Sequence, residues 1–377
     1  MKIAIATDWF APRRGGIERQ LRELSERLGS RGHDVEVLTS TPGSNDAPSR
    51  VRRLQGVTLP GTQLALSPTL PNVLRQALQR RYDVVHSHVS VVSPVGYTAA
   101  FVSRSMGIPT IVTFHSVLRA KVHILRAANA VAEFPVGSPT WTAVSAVVAG
   151  QVRRALNGVG VDVLPNGVNL GFWGDAGYRT TRTHNDAITL VSTMRLHRKK
   201  RPLQLLRAFA LAARRVSARA RLLVVGDGPE RSIMEREIHE LGIAGGRVSV
   251  EMLGWRDAEF LRLIYANADG FVLASKHEAF GIAALEARAA GLPVIAMAAS
   301  GSREFLRDDV DALLCHDDAD LIASIARFIA DADLRSRLAN APVDLMRYDW
   351  TAVLDAHERA YECAITRGRD LRAADAR

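Results

Sequence analysis

Short apolar runs alternate with amphipathic stretches along most of the chain, and this alternation limits the fold more than any other feature of the sequence. After the first run, Ile17, Leu21, Leu24 and Leu28 recur at helical spacing, and Gly32 follows where that helix would end. Runs of strand length occupy residues 2–7, 34–39, 83–87, 109–114, 140–145, 161–164, 187–193, 220–226, 247–253, 270–274 and 293–297. Strands that alternate with helices are typical of a parallel sheet with crossover helices. The pattern therefore predicts an α/β fold.

The strand-like runs fall into two series on a chain of 377 residues, which is too long for one typical core. Between the series, residues 165–186 contain PNGVN and then a polar stretch rich in Arg and Thr, as expected of a linker. Two doubly wound, Rossmann-like domains are therefore predicted.

Composition narrows the class of protein further. No run of about 18 apolar residues is present, so no membrane-spanning helix is expected. We interpret the apolar start, residues 2–7, as a buried strand and not as a signal peptide. The two cysteines, Cys315 and Cys363, lack metal-binding spacing and fit a reducing compartment. The expected location is the cytoplasm.

Positive charge is concentrated in the first half of the chain. Residues 1–168 carry 19 Lys and Arg against 10 Asp and Glu, whereas the remainder carries 30 against 29. A basic face attracts polyanions such as nucleic acid, anionic lipid headgroups or phosphorylated acceptors. A genome that favours arginine explains the surplus equally well. Nucleic acid is not an expected partner, because no recognition module or aromatic-interleaved basic stripe is present.

The segment HEAFGIAALEARAAGLPVIA, residues 277–296, carries the strongest chemical signal. A Gly-containing turn precedes a helix, so the amides of Gly281, Ile282 and Ala283 would lie at the positive end of its dipole, where a diphosphate binds well. Glu286, about a turn and a half further on, would accept hydrogen bonds from a ribose diol, and Glu278 would meet sugar hydroxyls. Considered alone, a cap-region acid and a solvated acid explain the two glutamates equally well.

A basic segment, MRLHRKKRP at residues 194–202, directly follows a predicted strand. Open α/β sheets bind ligands at the carboxyl ends of their strands. Arg195 and Lys200 there would neutralise a departing diphosphate. For Arg198, Lys199 and Arg201 a solvated basic turn is the preferred interpretation.

Two further candidates lie in the first series. Gly15 and Gly16 stand between the first strand and the first helix, where glycine permits close approach to a ligand, although a simple tight turn explains them equally well. His115 follows the fourth strand, and by itself such a histidine is more often structural.

These motifs occur together in one order: Gly15-Gly16, VVHSH at 84–88, PNGVN at 165–169, Arg195-x4-Lys200, GDGPE at 226–230 and Glu278-x7-Glu286. The set resembles family 4 of the retaining glycosyltransferases, which have the GT-B fold, and the resemblance covers nearly the whole chain. It implies two facing Rossmann-like domains with the donor cleft between them.

The resemblance also implies roles for individual residues. Glu286 would bind the donor ribose, Glu278 and His115 would face the donor sugar, Arg195 and Lys200 would hold the diphosphate, and Gly16 would frame the phosphates from the other domain. Phe280, beside the helix start, belongs to the same expected donor site. Two departures from the family pattern are Ser300-Gly301 in place of Gly-Gly before Glu304, and Met194 where a glycine often precedes the arginine.

The segment RYDWTAVLDAHERAYECA, residues 347–364, resembles the family's Trp-containing C-terminal segment, which crosses back to the N-terminal domain. The expected domains are therefore residues 1–168 together with a crossover helix at about 351–377, and residues 169–350.

The expected activity is retaining transfer of a hexose or N-acetylhexosamine from a UDP- or GDP-linked donor to a hydroxyl, such as that of a lipid-linked or polysaccharide glycan. No cofactor or metal is expected, because neither Asp309-x-Asp311 nor Asp331-x-Asp333 falls where a metal-binding pair would. A loose similarity of VHSHVS and MGIPTIVTFHS to transferases that act on phosphatidylinositol makes UDP-N-acetylglucosamine the first donor to test.

Residues 116–131 interleave basic residues with apolar ones, namely Arg119, Lys121, His123 and Arg126. An amphipathic helix packed on the sheet is the preferred interpretation, and contact with an anionic membrane at the inner face of the plasma membrane is the alternative. Two other functions stay open: a nucleotide-sugar epimerase of the same architecture, and a catalytically inactive nucleotide-sugar-binding protein. The intact Arg195, Lys200, Glu278 and Glu286 argue against both.

Overall fold

The computed structural model describes residues 1–13, 15–43, 50–54, 57–58, 65–80, 82–118, 139–174, 187–342 and 344–375. The chain forms two compact units, of which the first comprises Met1–Gly167 with Trp350–Arg377 and the second comprises Val168–Asp349. The boundary lies one residue from that expected from the sequence. Residues 119–138, which include the four basic residues of the amphipathic segment, and residues 175–186 of the linker lie outside the described residues.

The first unit is built on a parallel sheet. Its strands are β1 (Lys2–Thr7), β2 (Asp34–Thr39), β3 (Arg50–Arg53), β4 (Val57–Thr58), β5 (Ala65–Leu66), β6 (Val84–Val89), β7 (Thr110–Phe114), β8 (Thr140–Ala143) and β9 (Asp162–Val163). The described strands of the sheet run in the order β3-β2-β1-β6-β7-β8-β9, and β4 and β5 form a separate antiparallel pair. Its helices are α1 (Gly16–Ser30), α2 (Leu70–Leu78), α3 (Pro94–Ser105) and α4 (Ala146–Ala155).

The second unit repeats this plan. Its strands are β10 (Ala187–Thr193), β11 (Arg219–Val225), β12 (Val248–Gly254), β13 (Gly270–Leu273), β14 (Val294–Met297) and β15 (Ala312–Cys315). They are parallel in the order β12-β11-β10-β13-β14-β15, so the strand order reverses between β10 and β13. The helices are α5 (Leu170–Trp173), α6 (Pro202–Arg214), α7 (Arg231–Glu240), α8 (Ala258–Asn267), α9 (Ile282–Ala289), α10 (Asp318–Ala330) and α11 (Ala332–Ala339), with 3-10 turns at Arg198–Lys200, Gly301–Glu304 and Met346–Tyr348.

The last helix, α12 (Trp350–Asp375), belongs to the first unit. Its residues Trp350, Val353, Leu354 and Tyr361 are buried in one cluster with apolar side chains of β1, β2 and α1. The apolar stripe predicted on α1 supplies Leu21, Leu24 and Leu28 to the same cluster. A core of the first unit is therefore completed by residues from the far end of the chain.

The sequence predicted the positions of the central strands to within about two residues, but it missed two edge strands. Strand β3 reads Arg-Val-Arg-Arg, and strand β15 has four residues. Edge strands pair on one side only, so neither requires the long apolar run by which the central strands were recognised. In the described part of the chain, no helix is long and apolar enough to cross a bilayer.

Candidate functional site

Three of the sequence motifs meet at one edge of the second sheet. Met194-Arg195 follows β10, residues 226–230 follow β11, and residues 274–281 follow β13. Because β10 and β13 flank the reversal in strand order, their carboxyl ends form the crevice in which open α/β sheets bind ligands.

Backbone hydrogen bonds hold the segment around Arg195 in place. The amide of Met194 donates to the carbonyl of Val225 (3.0 Å), and the amide of Leu196 donates to that of Asp227 (2.9 Å). The side chain of Arg195, between them, is exposed. The backbone is thus fixed on both sides of a cation that extends into solvent.

Gly226 makes this arrangement possible. Its φ is +135°, and a Cβ added there would lie 1.8 Å from the carbonyl oxygen of Met194. No other residue fits so close to that carbonyl. Backbone packing beneath Arg195 therefore explains the first glycine of GDGPE.

Lys200 bridges the segments after β10 and β13. Its Nζ lies 2.8 Å and 2.7 Å from the two carboxylate oxygens of Glu278, and its carbonyl accepts a hydrogen bond from the Ser275 hydroxyl (3.2 Å). Both charged side chains are partly exposed, at 37% and 14%. An ion pair this accessible contributes under about 1 kcal/mol, so an anionic ligand can compete for the lysine at little cost.

The interpretation of Arg201 as part of a solvated turn is wrong. Arg198 and Lys199 are exposed, but the side chain of Arg201 is only 15% exposed. Its guanidinium donates to the carbonyl of Ala274 (3.1 Å) and pairs with Asp318 (2.5 Å). Arg201 thus anchors the basic turn to the end of β13 and to α10.

Helix α9 starts at this edge of the sheet. Gly281 is its N-cap, with φ +94°, and no side chain caps the helix. Ile282 and Ala283 of the first turn are half-buried. The unfilled amides at a helix start carry partial positive charge and bind anions.

A second loop supports the turn before α9. The amide of Gly301 donates to the carbonyl of Glu278 (2.8 Å), and a Cβ on Gly301 would lie 2.1 Å from the carbonyl oxygen of Ala279. Glycine is therefore required at position 301, whereas Ser300 occupies a buried position beside it. This explains why the departure from Gly-Gly falls on the first position.

The two remaining donor-site candidates on this segment are both buried. Glu286 is 5% exposed on α9. Phe280 is 2% exposed, and its ring packs against those of Phe305 and Tyr348 at 5.6 and 5.7 Å. The Phe280 ring is therefore a core residue, and that Phe280 belongs to the donor site, through its backbone, stays a prediction.

In the first unit, Gly16 and His115 lie near the carboxyl ends of β1 and β7. Gly16 is exposed at the start of α1. His115 is half-buried directly after β7, and its amide donates to the carbonyl of Val89 at the end of β6 (2.8 Å). Since β1, β6 and β7 are neighbours in one parallel sheet, the two residues are at the same edge of it.

The sequence missed the partner of His115. Nδ1 of the buried His88 lies 2.8 Å from Nε2 of His115. Burial lowers the pKa of His115 to about 3 and holds the pKa of His88 well below its ordinary value, so both rings are neutral at pH 7. The signal was present, because VVHSH and TFHS end two strands that are adjacent in the sheet.

Among the described residues, no group of three or more His, Cys, Asp or Glu side chains is arranged to hold a metal ion. One aspartate of each of the pairs Asp309/Asp311 and Asp331/Asp333 has a structural contact. Asp311 pairs with Arg307 (2.9 Å), and Asp331 caps α11 by accepting from the amide of Leu334 (2.8 Å). That the reaction needs no metal stays a prediction.

Solved structures define the class to which this architecture belongs. Anabaena HepE, solved in complex with UDP and glucose, gives a TM-score of 0.73 at 19% identity, and the match covers 96% of this chain and 99% of that one. Sucrose-phosphate synthase from Thermosynechococcus elongatus gives a TM-score of 0.73 at 23% identity, with 99% of both chains covered. The two Rossmann-like units have the GT-B fold.

Sequence comparison gives the family. The profile of Glycosyltransferase Family 4 matches residues 14–172, and that of Glycosyl transferases group 1 matches residues 179–342. A D-inositol 3-phosphate glycosyltransferase of Geodermatophilus obscurus is 31% identical, over 93% of this chain and 85% of the relative. A phosphatidylinositol N-acetylglucosaminyltransferase component of Arabidopsis thaliana is 27% identical, over 97% and 82%. The chain belongs to glycosyltransferase family 4, which confirms the predicted fold and family.

Proposed function

We propose that this glycosyltransferase transfers a sugar from a UDP- or GDP-linked donor to a hydroxyl acceptor, with retention at the anomeric carbon and without a metal ion. One observation carries the proposal. The uncapped start of α9 and the cations Arg195 and Lys200 follow neighbouring strands of one sheet, at the point where the strand order reverses. Converging positive charge of this kind favours a diphosphate.

In the proposed reaction, the donor diphosphate displaces Glu278 from Lys200. The lysine then pairs with phosphate oxygens, and Glu278 becomes available to accept hydrogen bonds from the sugar. Glu286 accepts from the ribose diol. Arg195 adds a second cation, and the charge that develops on the departing diphosphate is stabilised most in the transition state. The contacts of Gly16 with the phosphates and of His115 with the sugar are predictions of the family resemblance.

The proposed transfer accounts for every bond and proton without a protein base. The bond between the anomeric carbon and the diphosphate oxygen breaks, and the acceptor oxygen bonds to the same carbon on the same face. The acceptor's proton passes to the leaving diphosphate. A double displacement would require a carboxylate beneath the sugar, and no residue of the site is assigned to that role.

The acceptor proposed first is an inositol phosphate, free or as the headgroup of phosphatidylinositol. Both relatives in the sequence comparison are named for such acceptors. The surplus of Lys and Arg in residues 1–168 is consistent with an acceptor that carries phosphate. A lipid acceptor would bring the enzyme to the inner face of the plasma membrane, and the two free cysteines are consistent with a cytoplasmic enzyme.

The test is a transfer assay with the purified full chain in excess chelator. UDP-N-acetylglucosamine is tried first, then other UDP- and GDP-sugars, each with D-inositol 3-phosphate and with phosphatidylinositol vesicles. We expect product in chelator, with the donor's anomeric configuration by NMR. Activity that appears only with added divalent cation would contradict metal independence, and an inverted anomer would contradict retention. An epimerised donor sugar would favour the epimerase, and nucleotide binding without turnover would favour an inactive binding protein.

A further inference from the structure

Two histidines of the first unit are joined by a hydrogen bond. His88, on β6, and His115, directly after β7, are joined by a hydrogen bond of 2.8 Å between Nδ1 of the first ring and Nε2 of the second. His88 is 2% exposed, whereas His115 is half-buried. Because Nε2 of His115 is occupied, Nδ1 is the ring nitrogen through which His115 can meet a ligand.

The environment of His88 leaves it little freedom to rotate. Its ring packs against that of His86 at a tilt of 36°, with centroids 3.9 Å apart. His86 is itself fixed from both sides, by the hydroxyl of Tyr361 on α12 (2.9 Å) and by that of Thr113 on β7 (2.7 Å). A rigid layer of side chains therefore lies behind the pair.

The surroundings of Nε2 of His88 indicate which ring donates the hydrogen bond between His88 and His115. Among the described residues this Nε2 has no hydrogen-bond partner, and His88 lines a small pocket together with Gln20, Asn166 and His357. A buried N–H without a partner is tolerated less often than a lone pair. With both rings neutral, the favoured arrangement has the proton of His88 on Nδ1, where it donates to Nε2 of His115.

We propose that His88 is a positioning residue that fixes the tautomer of His115, so that His115 presents an Nδ1–H donor to an oxygen of the donor sugar and does not act as a base. The inference rests on the proposed function, in which His115 contacts that sugar. It adds that His115 is the hydrogen-bond donor and an oxygen of the sugar is the acceptor. A sugar that lacks this oxygen should bind less well.

The direct test is NMR of the full chain labelled with ¹⁵N-histidine, with the His115 signals assigned by comparison with His115→Gln. We expect Nδ1 of His115 to be protonated and Nε2 unprotonated in the absence of any substrate. In His88→Leu the two tautomers should mix, and in His88→Asn, whose side-chain amide can still donate, the original tautomer should persist. A proton on Nε2 of His115 in the unaltered chain would overturn the proposal, even if His88→Leu does not fold.

Turnover supplies the second readout. His88→Leu should lower kcat about tenfold with little change in the donor KM, as expected when a catalytic contact is misplaced, and His88→Asn should restore most of it. His357→Leu is the matched control, because that buried histidine also lines the pocket but its Nδ1 is paired with the carbonyl of Val353 (2.8 Å). Equal losses of kcat in His88→Leu and His357→Leu would show that His88 only packs in the core and does not position His115.

The two proposals fail separately. A chain that transfers no sugar but has the expected His115 tautomer would contradict the function and leave the positioning intact. An active enzyme whose His115 tautomer is the same in His88→Leu would contradict the positioning alone.

Discussion

Lys200 is the residue on which the proposed electrostatics depend most. Lys200→Ala removes a cation that the departing diphosphate requires and leaves Glu278 unopposed beside it. We expect turnover to fall at least about a hundredfold, because charge stabilisation of the transition state is lost. Steady-state kinetics with the best donor measures the effect, and circular dichroism checks the fold.

The neighbouring lysine provides a matched control. Lys199 is exposed in the same turn. Lys199→Ala should keep turnover within about twofold, since solvated charges at this distance are well screened. If both variants lose activity alike, the general charge of the turn matters and the assignment of Lys200 is wrong.

Glu286 is expected to act on the nucleotide rather than on the sugar. Glu286→Gln keeps the size of this buried side chain but replaces one carboxylate oxygen, an acceptor, by an amide donor. Turnover should fall at least about a hundredfold, with weaker binding of the free nucleoside diphosphate by calorimetry. Glu251→Gln, at an exposed position on β12, is the control. Undiminished nucleotide affinity in Glu286→Gln would remove the residue from the ribose site.

At this scale the sequence named candidate residues, but it did not predict the contacts that the structure shows for them. The spacing of Glu278 and Glu286 around a helix start is local, so it could be read directly. The Lys200–Glu278 pair, the anchoring of Arg201 and the bond between His88 and His115 join residues 27 to 117 positions apart. Such contacts depend on which strands are neighbours, which periodicity does not specify.

Among the elements, the loops after β10 and β11 behave as one unit. Gly226→Ala would push a methyl group into the carbonyl of Met194, at a φ that alanine rarely adopts. We expect at least about 2 kcal/mol of lost stability, measured by urea unfolding, and reduced turnover because Arg195 shifts.

Gly245→Ala tests whether this loss is specific to position 226. Gly245 is exposed, and a Cβ there meets nothing within 4 Å. The free energy of unfolding of Gly245→Ala should lie within about 0.5 kcal/mol of that of the original chain. A similarly small effect of Gly226→Ala would show that the two loops are not locked together.

The histidines of β6, β7 and α12 predict how stability depends on pH. Burial lowers the pKa of His357 from 6.5 to about 4 and also lowers the pKa of His86, His88 and His115. The unfolded chain therefore binds more protons than the folded chain between pH 6.5 and 4, so stability is present above pH 6.5 and is lost as the pH falls. His357 alone accounts for about 2 kcal/mol at pH 5.

Asp8 opposes this effect. Burial raises the pKa of its carboxyl to about 6, so the folded chain holds a proton there that the unfolded chain releases above pH 4. The net expectation is still a fall in the urea midpoint from pH 7.5 to 5, and a smaller fall in His357→Leu. A urea midpoint that rises on acidification would contradict the inference that these buried histidines are neutral in the folded chain.

The order and type of the elements were predictable because each central strand is a continuous apolar run and each amphipathic helix repeats at helical spacing. The edge strands β3 and β15 were not predictable in this way. Strand β15 has only four residues, and strand β3 is mostly arginine and pairs with the buried Glu36 of β2. Whether a polar segment joins a sheet edge is decided by such pairings across the chain.

At the scale of the whole molecule, the donor's base can be identified by thermal stability. A ligand that binds the folded chain at a hundred times its Kd adds about 2.7 kcal/mol, which raises Tm by about 5–10 °C for a unit of this size. We expect UDP or GDP to do so in chelator, and ADP and dTDP to do so less. Equal shifts with all four would show that only the diphosphate is recognised.

Helix α12 has a consequence for how the protein is made. The first unit lacks Trp350, Val353, Leu354 and Tyr361 until the ribosome has synthesised the second unit in full. Residues 168–349 are contiguous, so they can fold during translation while the earlier-made unit still waits for part of its interior. Ribosomes that stop before residue 350 would therefore release chains in which the second unit is formed and the first unit exposes apolar surface.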